Sequence, residues 1–394
     1  MHALLDRALV AARQLGASDI HLKAGLAPIL RIDGELRTLS DVPPLSREFI
    51  QNLAFSLLND RRREILERTG DVALSLAAPD GSRQRLHIWQ YRGGTAIAVR
   101  LVPAQVPSLE KLDLPPAVAT LPAKGPGLVL VTGPAGGGKT TTMAALVDRL
   151  GGERACHVIT IEDPVEIILK DRRSVVVQRE VGLDAPTTAA ALRAAQRQDA
   201  DVLLVGELRD AEAIELAILA AETGRLVIAG VPARDALACI ARVLELGGAA
   251  ERSSLRSRLA GVLRGVVAQQ LVPRADGRGR RVAAEILLID DETRAHLRDP
   301  GGTPEVRAAL TAGRPAGSQS FDAALVALAR AKRISASEAI SRAADATAVR
   351  QLLDAAGDAP EPSPPETTPV GASDGEEDDD DDDDVLADEQ RLGR

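Results

Sequence analysis

Short apolar runs separated by helix-period segments dominate the middle of the chain. The runs are GLVLVTG (127–133), HVITIE (157–162), SVVVQ (174–178), DVLLVG (201–206) and RLVIAG (225–230). Each is short, apolar on both faces and rich in Val and Ile, the pattern of central strands covered by helices. Between them, 139–150 and 210–222 carry helical periodicity, the second opened by the capping residue Asp210 and followed by Gly224. Strands alternating with helices predict an α/β domain around a largely parallel sheet.

The first hundred residues read differently. A helical start gives way to short alternating segments at Ile20/Leu22, Ile29/Leu30/Ile32 and Val72/Leu74/Leu76, with turns expected at Asp33-Gly34 and Asp80-Gly81. LHIWQYRGGTAIAVRLV reads as two strands joined at Gly93-Gly94. Residues 1–102 are therefore expected to form a small α+β domain. Pro103, Pro107, Pro115, Pro116 and Pro122 mark 103–122 as a linker. From 123 to 356 the α/β domain follows, mostly helical after about residue 250, with one strand at RVAAEILLID and helices at 303–312, 321–331 and 335–353. The last segment, 357–394, is rich in Pro, Ser and acidic residues and reads as a disordered tail.

Composition narrows the function classes. Three Phe, one Trp and one Tyr leave Ala, Leu, Val and Ile to build the core, and provide no stacking platform for single-stranded nucleic acid. The net charge of −9 is misleading, because fifteen acidic residues and two arginines lie between Asp358 and Arg394. What remains is slightly positive, so electrostatics give no case for DNA binding. Cys156 and Cys239 stand far apart and form no CxxC pair, which argues against a thiolate zinc site. The opening helix carries Asp6, Arg7 and Arg13 and does not resemble a signal peptide. No stretch reaches eighteen apolar residues, so a soluble, cytoplasmic protein is expected.

GPAGGGKT satisfies G-x-x-x-x-G-K-[ST], follows an apolar strand and opens a helix. The expected nucleotide-binding residues are Gly133, Pro134, Ala135, Gly136, Gly137, Gly138, Lys139, Thr140 and the adjoining Thr141. Glycines let backbone N–H groups close around phosphates, Lys139 reaches the β- and γ-phosphates of ATP, and Thr140 ligates Mg²⁺. In DVLLVGELRD, Glu207 stands just past a strand; alone it would read as a helix cap or solvated loop residue, but beside the phosphate loop the favoured reading is a carboxylate that orients Mg²⁺ or its water. ITIEDPVE offers Glu162, Asp163 and Glu166 after another strand, where a carboxylate can hold an attacking water, with a charged turn ended by Pro164 as the competing reading.

These pieces occur in a recognisable order. GASDIHL, PILRIDG, the phosphate loop, ITIEDPVE, VQREVG, ALRAAQRQDADVLLVGELRD and AAETG together resemble the secretion-ATPase superfamily. GSQSFDAALVALARAKRISASEA narrows the resemblance to the pilus-retraction ATPases of the PilT family, over roughly residues 1–345. The resemblance implies an N-terminal PAS-like domain, a RecA-like P-loop ATPase domain and a homo-hexameric ring, or a mixed ring with a paralogous retraction ATPase. It also implies a cytoplasmic position at the inner-membrane base of a type IV pilus, contact with a platform protein there, and no direct membrane insertion. By motif position Lys139 and Thr140 belong to Walker A, Glu207 to the Walker B segment, and Glu166 is the catalytic glutamate. Arginines of the N-terminal domain approach phosphates in such enzymes; Arg92 and Arg100 are the candidates here, with surface ion pairing as the competing role.

The chain also departs from that family. Arg225 and Pro232 stand where the family carries two histidines, the second in the His box near the γ-phosphate. Proline has no side-chain donor or acceptor, and arginine is a permanent cation, so neither replaces imidazole. Arg225, ahead of its strand, is expected at the surface or a subunit contact. TRAHLRD (293–299) matches the family's retraction helix only at Arg294, Leu297 and Arg298. A tetracysteine segment, common in the assembly and type II secretion branches, is missing. The departures leave two readings: a motor that hydrolyses slowly, or a hydrolysis-impaired regulatory subunit acting with a competent retraction ATPase.

Overall fold

The computed structural model describes residues 3–32, 35–39, 41–77, 83–101, 106–248, 252–277 and 279–357. The two expected Asp-Gly turns and residues 358–394 of the acidic tail lie outside them.

Near the N-terminus, α1 (Ala3–Gln14) leads into β1 (Ala17–Lys23), β2 (Ile29–Ile32) and β3 (Glu35–Thr38). Helices α2 (Arg47–Leu57) and α3 (Asp60–Thr69) precede β4 (Asp71–Ala77), β5 (Arg83–Tyr91) and β6 (Gly94–Leu101). Ser46 and Asn59 cap the two helices by accepting from the N–H groups of Phe49 and Arg62. The six strands form one antiparallel sheet in the order β3-β2-β1-β6-β5-β4. One face packs Ile20, Leu22, Leu74, Leu86, Ile88 and Val99 against the helices. The hairpin between β5 and β6 turns at Arg92 and Gly93, with φ of 40° and 71°, one residue earlier than the sequence suggests.

The proline-rich stretch is not an open tether. After 106–115 it forms the short helix α4 (Pro116–Thr120) and a 3₁₀ turn at Pro122–Lys124. Leu109, Val118 and Leu121 are buried in the core of the second sheet.

That sheet has seven strands: β7 (Gly127–Thr132), β8 (His157–Glu162), β9 (Val175–Glu180), β10 (Val202–Val205), β11 (Leu226–Val231), β12 (Leu263–Pro273) and β13 (Arg280–Leu288). Their order is β13-β12-β7-β11-β10-β8-β9, with every pair parallel except β12 with β13. Between the strands run α5 (Lys139–Glu153), α6 (Thr188–Ala195), α7 (Ala211–Glu222), α8 (Ala236–Leu246) and α9 (Arg252–Val262). Two apolar layers result, one on each sheet face, which explains why β7, β10 and β11 are buried at every position.

Two expectations for the C-terminal third need correction. β12 is a strand, although LRGVVAQQLVP follows α9 without a turn residue and its two glutamines interrupt the apolar run. The expected single helix over 335–353 is two, α13 (Ala336–Arg342) and α14 (Ala346–Gly357). The break has a cause. Asp322 accepts from the N–H groups of Ala344 and Asp345, and Asp345 then accepts from Thr347 and Ala348 to start a new helix. The remaining helices are α10 (Asp291–Arg298), α11 (Thr303–Thr311) and α12 (Phe321–Arg330). α12, α13 and α14 share an apolar cluster with Val272 of β12 and Ala283 of β13.

Candidate active site

Strand register collects the motifs. Val131 and Thr132 pair with Gly230 and Val231, Val205 pairs with Ala229, and Ile161 pairs with Val205. In parallel strands this brings the carboxyl ends of β7, β8, β10 and β11 to one edge. The residues that follow them, Gly133, Asp163, Gly206 and Pro232, therefore share that edge, as ligand sites of open α/β sheets do. Gly230 fits only because it lacks a side chain: a Cβ there would lie 2.2 Å from the Gly206 carbonyl oxygen. Leu208 N–H donates to Gly230 O at 2.8 Å and fixes the approach.

A cleft of about 630 Å³ lies along this edge, within the range of small-molecule sites. Its lining includes Ala135 to Thr141 of the phosphate loop, Glu162, Asp163 and Glu166 after β8, and Glu207 and Arg209 after β10. Pro232 lies on its wall, as do Arg85 and Arg100 from the N-terminal sheet.

Lys139, first residue of α5, donates from Nζ to the carbonyl oxygens of Gly133 and Pro134, both at 2.9 Å. The third ammonium hydrogen remains for a phosphate oxygen. Burial lowers the Lys139 pKa from its ordinary value, against the charge of Glu207, which raises it. Arg209 bridges two strand ends, donating to Asp163 Oδ2 and Glu207 Oε2 at 3.1 Å each. Glu162 is only 7% exposed, and its Oε1 accepts from Thr160 Oγ1 at 2.6 Å and Gln178 Nε2 at 3.0 Å. Burial pushes its carboxyl up and the charges of Glu166 and Glu180 add to this, while the two hydrogen bonds oppose it.

Glu166 is half-buried, and its Oε1 accepts from Arg85 Nη1 at 3.0 Å. A second link between the domains lies nearby. Arg62 of α3 donates to Glu180 Oε1 at 2.5 Å, with exposures of 15% and 4%, and Glu180 Oε2 accepts from Val165 N–H. The loop carrying Glu166 is thus held by arginines of the N-terminal domain on both sides.

The two arginine candidates fare differently. Arg100 lines the cleft and also pairs with Asp19 at 2.9 Å. Arg92 sits on the exposed β5–β6 turn and does not line this chain's cleft. Sequence reasoning passed over Arg85, whose signal was its place on the hairpin strand beside Arg100, with which it pairs in register. Arg225 lies at the opposite end of β11 from Pro232, donating to Thr223 Oγ1 at 2.8 Å and Gln196 O at 2.9 Å. It does not line this chain's cleft.

Pro232 follows the last residue of β11, in a loop held on both sides. Thr132 Oγ1 donates to Ala233 O at 3.0 Å, and Glu285 Oε1 accepts from Ala236 N–H at 2.8 Å. Pro232 lines the same cleft as the phosphate loop and brings no polar side chain to it.

Comparison with known proteins agrees with this geometry. The family profile described as type II/IV secretion system protein matches residues 1–356. The type IV pilus retractation ATPase PilT of Pseudomonas aeruginosa is 36% identical over 328 residues, 83% of this chain and 94% of that protein. A twitching motility protein of Neisseria gonorrhoeae is 35% identical over 316 residues, 80% of this chain and 84% of that protein. The crystal structure of the pilus retraction motor PilT with bound ADP superposes with a TM-score of 0.77 at 38% identity, covering 86% of this chain and 97% of that one. On fold, site and likeness together, the chain belongs to the type II/IV secretion system protein family and resembles its PilT-type pilus ATPases.

Proposed function

We propose that this chain is an ATP-hydrolysing motor subunit of a type IV pilus machinery, of the retraction kind. The observation that carries the reading is one cleft shared by the phosphate loop, Glu166 and Glu207. The loop backbone and Lys139 bind the phosphates. Glu166 takes the proton of the attacking water, and Arg85, which lines the same cleft, would stabilise the charge that develops on the γ-phosphate. The ion pair between them then acts as an exchange point, since a phosphate that draws Arg85 away frees the carboxylate for water.

Mg²⁺ suits the donor set. No group of three or more His, Cys, Asp or Glu among the described residues would hold a metal by itself. Nucleotide-bound Mg²⁺ needs only one or two protein oxygens beside phosphates and waters, and Thr140 and Glu207 would provide them. The ion neutralises charge on the β- and γ-phosphates when bound.

The motor works as a hexamer in the cytoplasm, against an inner-membrane platform protein. No described helix is long and apolar enough to cross a membrane. The purified protein should hydrolyse ATP, and Lys139→Ala and Glu166→Gln should each remove most of that activity. Unchanged activity in both variants would refute the reading. Pro232 on the cleft wall favours one second reading, a nucleotide-binding subunit with little turnover that joins a competent paralogue in a mixed ring. Rapid hydrolysis by the protein alone would exclude it.

A further inference from the structure

Gln269 of β12 is 1% exposed, directly beneath the phosphate loop. β12 runs parallel to β7 with Val267 paired to Val131 and Ala268 to Thr132, so Gln269 comes level with Gly133. Its Nε2 donates to Gly137 O at 2.7 Å. Three glycines of GPAGGGKT pack against this one residue. A Cβ on Gly133 would lie 2.2 Å from Gln269 O, one on Gly137 3.2 Å from the same oxygen, and one on Gly138 2.9 Å from Nε2.

The bond fixes a peptide plane. In a trans peptide the carbonyl of one residue and the N–H of the next point in opposite directions. Holding Gly137 O down onto the buried amide therefore turns the Gly138 N–H the other way, and Gly137 and Gly138 both line the cleft. A flexible glycine run has no intrinsic preference for that orientation. Gln269 imposes it.

The residue is a poor choice for stability. Its Oε1 is buried without a hydrogen-bond partner among the described residues. An apolar side chain of the same volume would avoid that cost, and its loss of the Nε2 bond to Gly137 O would roughly offset the gain. Resting on the nucleotide-binding reading above, we propose that Gln269 is a positioning residue for the phosphate loop, setting its N–H groups toward the nucleotide phosphates.

The test measures ADP binding with Mg²⁺, together with KM and kcat for ATP, on wild type, Gln269→Met and Gln269→Glu. Gln269→Met keeps the volume and removes the donor. Its Kd for ADP and its KM should rise about 5- to 10-fold, with kcat within about twofold and no loss of thermal stability. Gln269→Glu donates only while protonated, so its ADP affinity should fall as pH rises while wild type changes little. Wild-type affinity in Gln269→Met, or a loss confined to kcat, overturns the proposal. Unfolding of both variants also overturns it, because Gln269 would then serve the fold. A wild-type protein that binds no ADP removes the nucleotide reading itself, and the two failures are thereby told apart.

Discussion

Arg85 Nη1 lies 3.0 Å from Glu166 Oε1, joining β5 of the N-terminal sheet to the loop after β8 of the ATPase sheet. A residue proposed to activate water is therefore held by a cation from the other domain. Glu166→Gln should lower kcat about 100-fold or more, the usual contribution of a positioned base. Arg85→Ala should lower it about 10-fold or more, through loss of charge at the γ-phosphate. Steady-state ATPase assays on both variants check this. A faster Arg85→Ala enzyme would instead identify the pair as a brake.

Pro232 should limit turnover. The loop around it is tied by Thr132 to Ala233 O and by Glu285 to Ala236 N–H, so a new side chain would enter a fixed frame. Pro232→His places a donor at the cleft wall and should raise kcat about 10-fold. An unchanged rate in a folded variant would mean that position 232 does not contact the reacting phosphate.

The nucleotide-free protein should lose stability as pH rises, through Glu162. Its folded carboxyl titrates above the ordinary carboxylate range, chiefly because it is buried. Between that range and the raised folded value the native state binds more protons than the unfolded chain, so stability falls with increasing pH. Glu162→Gln keeps an acceptor for Thr160 and cannot ionise. Its melting temperature should depend less on pH than wild type above the ordinary carboxylate range, judged by thermal unfolding at several pH values. Parallel slopes would remove Glu162 as the cause.

The Arg62–Glu180 pair should matter more for stability than a surface ion pair. Both side chains are largely buried, and removing one partner leaves a buried charge. Arg62→Ala should cost about 3 kcal/mol, the lower end for such a loss because Glu180 keeps the Val165 N–H. Denaturant unfolding measures it. A cost below about 1 kcal/mol would place the pair among the solvent-exposed kind.

Much of this protein can be read along the chain. The apolar strand runs, the Asp210 cap and the GPAGGGKT loop are local patterns, fixed by side-chain period and backbone freedom within a few residues. Even the lack of a side-chain donor at Pro232 is visible in the sequence. Other features are not local at all. LRGVVAQQLVP becomes a strand because β7 and β13 offer their backbone groups on either side, not because its own pattern demands it. The break before α14 depends on Asp322, more than twenty residues away. Arg85 meets Glu166 across 81 residues, and Gln269 reaches Gly137 across 132. Sequence alone determined which residues are candidates to bind a phosphate. Only the tertiary structure decided which side chains hold them in place, because hydrogen bonds act over about 3 Å in space regardless of separation along the chain.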